Sequence, residues 1–131
     1  MKKTVLTICL VMMGLLIVSC QMARIVNPGP ISVRTPSAEQ MRTAIGQALR
    51  NRGWAIAREE PGQIDATLFI RSHVAKIRID YDAEKFSIAY LESTNLDYMK
   101  KGDGSEYIHE NYNGWIQNLV HDISVFASHA G

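Results

Sequence analysis

From Ile64 to Leu91 the chain alternates apolar and polar residues with a period of two, a pattern that suits a strand and not a helix. Ile64, Ala66, Leu68 and Ile70 share one face, whereas Ala75, Ile77, Ile79 and Tyr81 have the opposite parity. A strand keeps its parity unless a bulge or a turn intervenes. The slip falls between Arg71 and Val74, where there is no Gly, Pro or Asn, so a bulge in one long bent strand is expected. After the polar break Asp82-Ala83-Glu84-Lys85, Phe86, Ile88 and Tyr90 alternate again. A four-residue loop pairs Tyr81 with Phe86, Ile79 with Ile88 and Ile77 with Tyr90, with apolar side chains opposite one another. A sheet with one apolar face needs a cover.

Two helical stripes supply it. Met41, Ala44, Ile45, Ala48 and Leu49 recur at helical spacing, and Gly53 is the expected stop. Thr35 with Pro36 offers a start, and Ser37 with Gln40 an alternative capping box, so the first helix is expected over 36–52. Ile108, Tyr112, Trp115, Ile116, Leu119, Ile123 and Phe126 form the second stripe, expected over 106–128, with Trp115 as its main packing residue and Asp103 or Ser105 as its cap. A weak edge strand is expected at Ile31–Val33, a strand at Trp54–Glu59 and a loop from Glu92 to Ser105. The chain has 131 residues, enough for one domain. The expected class is α+β: two helices packed on one face of a three- to four-stranded, mainly antiparallel sheet, in the order weak β-α-β-β-β-α, over 31–131. Hydrophobic residues are 47% and charged residues 21%, which excludes a disordered chain. The formal charge of +1 gives no bulk signal for nucleic acid.

The N-terminus reads as an address. Lys2 and Lys3 precede an uncharged run from Thr4 to Val18, too short for the ~30 Å hydrocarbon core and suited to a secretory signal. Its exit, Ile17-Val18-Ser19-Cys20, resembles the lipobox of bacterial lipoproteins. That resemblance implies removal of residues 1–19, diacylglycerol on the Cys20 thiol and an acyl chain on its new amino group, with no other cofactor. Several acyl chains give stable anchoring. Residues 20–30, rich in Pro and Gly at Asn27-Pro28-Gly29-Pro30, read as a tether. Removing 19 residues from 131 leaves 112, with 12 basic and 13 acidic residues, a balance of −1. Cys9 leaves with the signal, so no intramolecular disulfide is available to the mature chain. Gln21 stands where Asp favours inner-membrane retention in enteric lipoproteins. The resemblance therefore implies the periplasmic face of the outer membrane.

Little in the rest of the chain suggests catalysis. No His-x-x-x-His or Gly-x-Ser-x-Gly occurs. Gly102-x-Gly104 lacks the third glycine and the lysine of a phosphate loop, and Glu59-Glu60 place their carboxylates on opposite strand faces. On the expected second helix His109 lies at the stripe border, His121 faces solvent and His129 lies in the fraying end. His73, at the expected bulge, could meet His109, but a third metal ligand is missing, and none is expected. All five tyrosines fall between 81 and 112, interleaved with amides. His73, Tyr90, Asn95, Tyr98, His109 and Asn113 are the candidate binding surface. The competing reading is a loop pinned by side-chain hydrogen bonds.

Gly53-Trp54, Pro61-Gly62, Arg71-Ser72-His73, Tyr90, Ser93-Thr94-Asn95-Leu96 and Ile108–Ile116 together resemble a family of small proteobacterial lipoproteins that brings no catalytic residue and no ligand. The element order is also similar to the lipopolysaccharide-assembly lipoprotein, in topology alone. The expectation is a monomeric, non-enzymatic outer-membrane lipoprotein. It would bind or support an envelope protein or glycan, without nucleic acid. A small periplasmic hydrolase using His73 or His109, or a glycan binder using Trp115 and the tyrosines, are the alternatives.

Overall fold

The computed structural model describes residues 21–130. The signal segment and Cys20 lie outside the described residues. Ten elements follow in order: β1 (Met22–Arg24), β2 (Ile31–Ser32), α1 (Ala38–Asn51), β3 (Ala55–Glu60), β4 (Gln63–Ile70), β5 (His73–Tyr81), β6 (Lys85–Thr94), β7 (Met99–Lys100), β8 (Glu106–His109) and α2 (Asn111–Ser128). The class is α+β. A five-stranded antiparallel sheet runs β2-β6-β5-β4-β3, and a three-stranded one runs β1-β8-β7.

The expected pairing of β5 with β6 is present residue for residue: Tyr81 faces Phe86, Ile79 faces Ile88 and Ile77 faces Tyr90. Ile64, Ala66, Leu68, Ala75, Ile77, Ile79, Phe86 and Ile88 are buried on the same side, beneath Met41, Ile45 and Leu49 of α1 and Tyr112, Ile116, Leu119 and Ile123 of α2. The helix stripes and the sheet alternation thus meet in a single core. Ser37 caps α1 by accepting from the Gln40 amide at 3.2 Å, and Gly53 takes the left-handed φ of 78° beyond its end.

Four expectations require correction. The parity slip is a two-residue turn, not a bulge: Ile70 pairs with His73, and Arg71 takes a φ of 55° without being Gly or Asn. The turn is held from outside, because Asn95 Nδ2 donates to Ser72 Oγ at 2.8 Å and His73 Nδ1 bonds the Asn95 carbonyl at 2.6 Å. The loop expected over 92–105 is shorter, since β6 runs to Thr94 and β7 adds Met99–Lys100. The second helix begins at Asn111, not 106. Residues 106–109 form β8, in which Ile108 is buried by strand alternation as well as it would be by a helical stripe.

Residues 21–30 are no slack tether. β1 pairs antiparallel with β8, Met22 opposite His109 and Arg24 opposite Tyr107. The chain then runs along the free edge of β6: the Pro28 carbonyl accepts from Ile88 at 2.8 Å, and β2 pairs Ile31 with Phe86. Side-chain amides fill the gaps in this strap. Asn27 Oδ1 accepts from the Tyr90 amide at 2.8 Å, while Asn113 accepts from Val26 N at 3.1 Å and donates to the Arg24 carbonyl at 2.8 Å. At Gly29, with φ 134°, a Cβ would fall 2.3 Å from Ser87 Cβ, so only glycine lets the strap lie so close.

Candidate functional site

The six residues singled out in the sequence gather in one region, where β6, the 95–98 corner, β8 and the strap meet, but they do three different jobs. His73 and Asn95 hold the β4–β5 turn, as described. Tyr90 and Tyr98 belong to a ladder of three rings. Tyr98 stacks on Tyr90 at 5.0 Å between centroids, and Tyr90 meets the edge of Tyr112 at 5.6 Å and 84°. The ladder runs from the core, where Tyr112 is fully buried, to the surface, where Tyr98 is 40% exposed. His109 and Asn113 hold the start of α2 and the strap. His109 Nδ1 accepts from the Asn111 amide at 3.2 Å, and the His109 amide donates to the Leu96 carbonyl.

The polar tips of the two outer rings, Tyr98 and Tyr90, are engaged with neighbours. Tyr98 donates to Glu106 Oε1 at 2.6 Å, which with the adjacent negative charge pushes its hydroxyl up to about 12. Tyr90 shares a 2.7 Å hydrogen bond with Ser93 Oγ, and burial raises its pKa. The Tyr112 hydroxyl is buried with no hydrogen-bond partner among the described residues, and burial raises its pKa further. A phenol so disposed is a poor acid or base near neutrality. Asn95 and Asp97 take φ of 56° and 55° at the corner, which positions the Asn95 carbonyl toward His73.

His73 and His109 bracket this corner, bonding the consecutive carbonyls of Asn95 and Leu96 through a ring nitrogen and a backbone amide respectively. No cluster of three or more His, Cys, Asp or Glu side chains suited to a metal ion occurs among the described residues. At the other end of α2, Ser128 Oγ and His129 Nδ1 are 3.4 Å apart, but both bond the Val125 carbonyl. Trp115 is half-buried at the core rim, in a small cleft with Arg52, Trp54, Leu68, Ile70 and Asn118. The fully enclosed packing positions of α2 are Tyr112, Ile116, Leu119, Ile123 and Ala127.

Two features escaped the sequence reading. Asp122 is buried on α2 and accepts from Arg52 at 2.8 and 3.0 Å and from Asn51 at 2.7 Å, which lowers its pKa to about 2. Its place three residues after Leu119 and seven after Trp115, at the border of the apolar stripe, was the available signal. Arg42 on α1 bridges Glu59 of β3 and Glu39, holding the Glu59 carboxyl below the usual range beside a groove of about 370 Å³. A second groove, about 600 Å³, lies between α1 and α2, with Gln40, Thr43 and Gln47 facing Val125 and Phe126. No protein-family model matches the chain, and no curated protein or solved structure is detectably similar to it.

Proposed function

We propose that the protein is a lipid-anchored lipoprotein of the bacterial outer membrane, on its periplasmic face. Its α+β domain binds or supports an envelope component and is not an enzyme. The observation that carries the reading is the sequence from Lys2 to Cys20, a basic head, an uncharged run and Ile17-Val18-Ser19-Cys20. Gln21 after the cysteine supports the outer membrane. The tyrosine, histidine and amide groups are spent largely on internal hydrogen bonds, which favours a scaffold over a catalyst. The groove between α1 and α2 has a volume in the range of small recognition sites, with amides around an apolar floor. Intact mass of the protein from a bacterial envelope tests the anchor: loss of residues 1–19 and added acyl mass on Cys20 are expected, and a free Cys20 thiol refutes the reading. A photo-cross-linking residue at Gln47, exposed on α1, tests the partner. A discrete adduct in intact cells is expected, and none at Gln47 removes this groove from consideration.

A further inference from the structure

We infer that the outer face of the β1-β8-β7 sheet lies flat on an anionic phospholipid surface, so that the domain is docked on the membrane and does not swing from its anchor. The inference rests on the proposal that Cys20 is acylated. In that case the glycerol thioether sits at headgroup depth, and Gln21 is one residue, ~3.8 Å, away. The domain leaves no slack there. The Gln21 carbonyl already accepts from the Glu110 amide at 3.1 Å, and β1 starts at Met22. At about 3.3 Å per strand residue, Arg24 stands within roughly 13 Å of the acylated sulfur.

Strand alternation decides which side chains face outward. Ile108 is fully buried, so Ala23 opposite it shares the core side. Met22, Arg24, Tyr107, His109 and Met99, which pair with one another across the strands, take the other side. Lys101 joins them, its Nζ 4.4 Å from the centre of the Tyr107 ring. Met99 is 47% exposed. Methionine, an amphipathic ring and cations on flexible stems are the side chains that settle at a headgroup boundary, with apolar stems inward and charges at the phosphates. Asp103 beside Arg24 and Glu110 at the strand end oppose the attraction in part. Arg24 and Lys101 match them in number but stand on the outer face around Tyr107, whereas Asp103 lies in the β7–β8 loop and Glu110 at the strand end; Lys100, paired with Glu106, has the opposite parity.

The acylated full-length protein tests this in vesicles of phosphatidylethanolamine and phosphatidylglycerol. Cys9 leaves with the signal and Cys20 is consumed by lipid, so an introduced cysteine is the one free thiol. Fluorophores at Met99→Cys, Asn111→Cys and Gln47→Cys report the outer face, the strand end and the opposite helix layer. Lipids brominated near the headgroup quench by contact. Several-fold stronger quenching at Met99 than at Gln47 is expected. Combining Arg24→Gln with Lys101→Gln lowers the docked-to-undocked ratio by about fivefold per charge removed, as does neutral phosphatidylcholine for the same reason. Quenching at Asn111 with Met99 no different from Gln47 means that the domain stands on end, and equal quenching at all three means that it tumbles. Either overturns the docked face while leaving the anchor intact. Intact mass without acyl groups overturns the anchor and the docking with it.

Discussion

Asp122 is the sharpest test of how the two helices are joined. Its carboxylate, almost enclosed, accepts two hydrogen bonds from Arg52 and one from Asn51 at the end of α1. The perturbation is Asp122→Asn, which keeps the volume and removes the charge. A pKa depressed from 3.8 to about 2 in the fold corresponds to about 2.4 kcal/mol, at 1.36 kcal/mol per pH unit. Arg52 is 38% exposed, however, and water screens the pair, so roughly 1 kcal/mol is the expected net cost of the variant. The sign follows from the depressed value. The contribution is complete above the unfolded value near 4, declines as pH falls through the interval down to about 2, and vanishes below it. Urea unfolding of parent and variant at a series of pH values between 2 and 7 measures it. The stability gap should hold at about 1 kcal/mol from pH 7 to 5 and close toward pH 2. A gap of the same size at every pH would refute the charge-based reasoning and assign the loss to packing.

Tyr112→Phe removes a buried hydroxyl with no partner among the described residues, so it should raise stability by about 1 kcal/mol, read as a higher melting temperature; a drop instead would show that the hydroxyl is bonded in solution. Leu119→Ala, at a fully enclosed site, should cost about 2–5 kcal/mol in chemical denaturation, and half-buried Trp115→Ala distinctly less; the reverse order would return Trp115 to the centre of the core. Gly29→Ala drives a Cβ into Ser87, so hydrogen exchange should accelerate first in residues 22–32 while β4 and β5 stay protected; uniform acceleration would mean that the strap and the core are one cooperative unit.

How far the sequence could be read followed the distance between interacting residues. The β5–β6 register was legible because both strands alternate and only a short loop separates them. The β4–β5 turn was not, because its strained residue is Arg71, and the groups that hold it, Asn95 and His73, act through a contact made only in the folded chain. β8 was hidden by coincidence of phase: Ile108 and Tyr112 are four apart, so one buried strand residue extends a helical stripe without a break. Of the strap, the edge strand at Ile31–Ser32 was legible, but residues 22–30 were not for want of any local pattern, since their partners are amides and strand edges far along the chain. For the candidate site, the sequence singled out residues that the fold brings to one region but could not show that their polar atoms would be engaged by neighbouring side chains and backbone.

Those distant partners bear on the order in which the chain can be completed. Val26 meets Asn113 across 87 positions, and Asn113 meets Arg24 across 89, so the first residues of the domain are fastened by residues made long after them. The β3–β6 meander is built from neighbouring strands and can form beforehand. Closing so long a loop is entropically slow compared with closing a hairpin. Until α2 and β8 form, the Met22–Val26 part of the strap lacks its partners, and an unpaired strand edge is a template for pairing with another chain. A chain folding from its first-made end therefore passes through a stage in which residues 22–27 wait, open-edged, for α2.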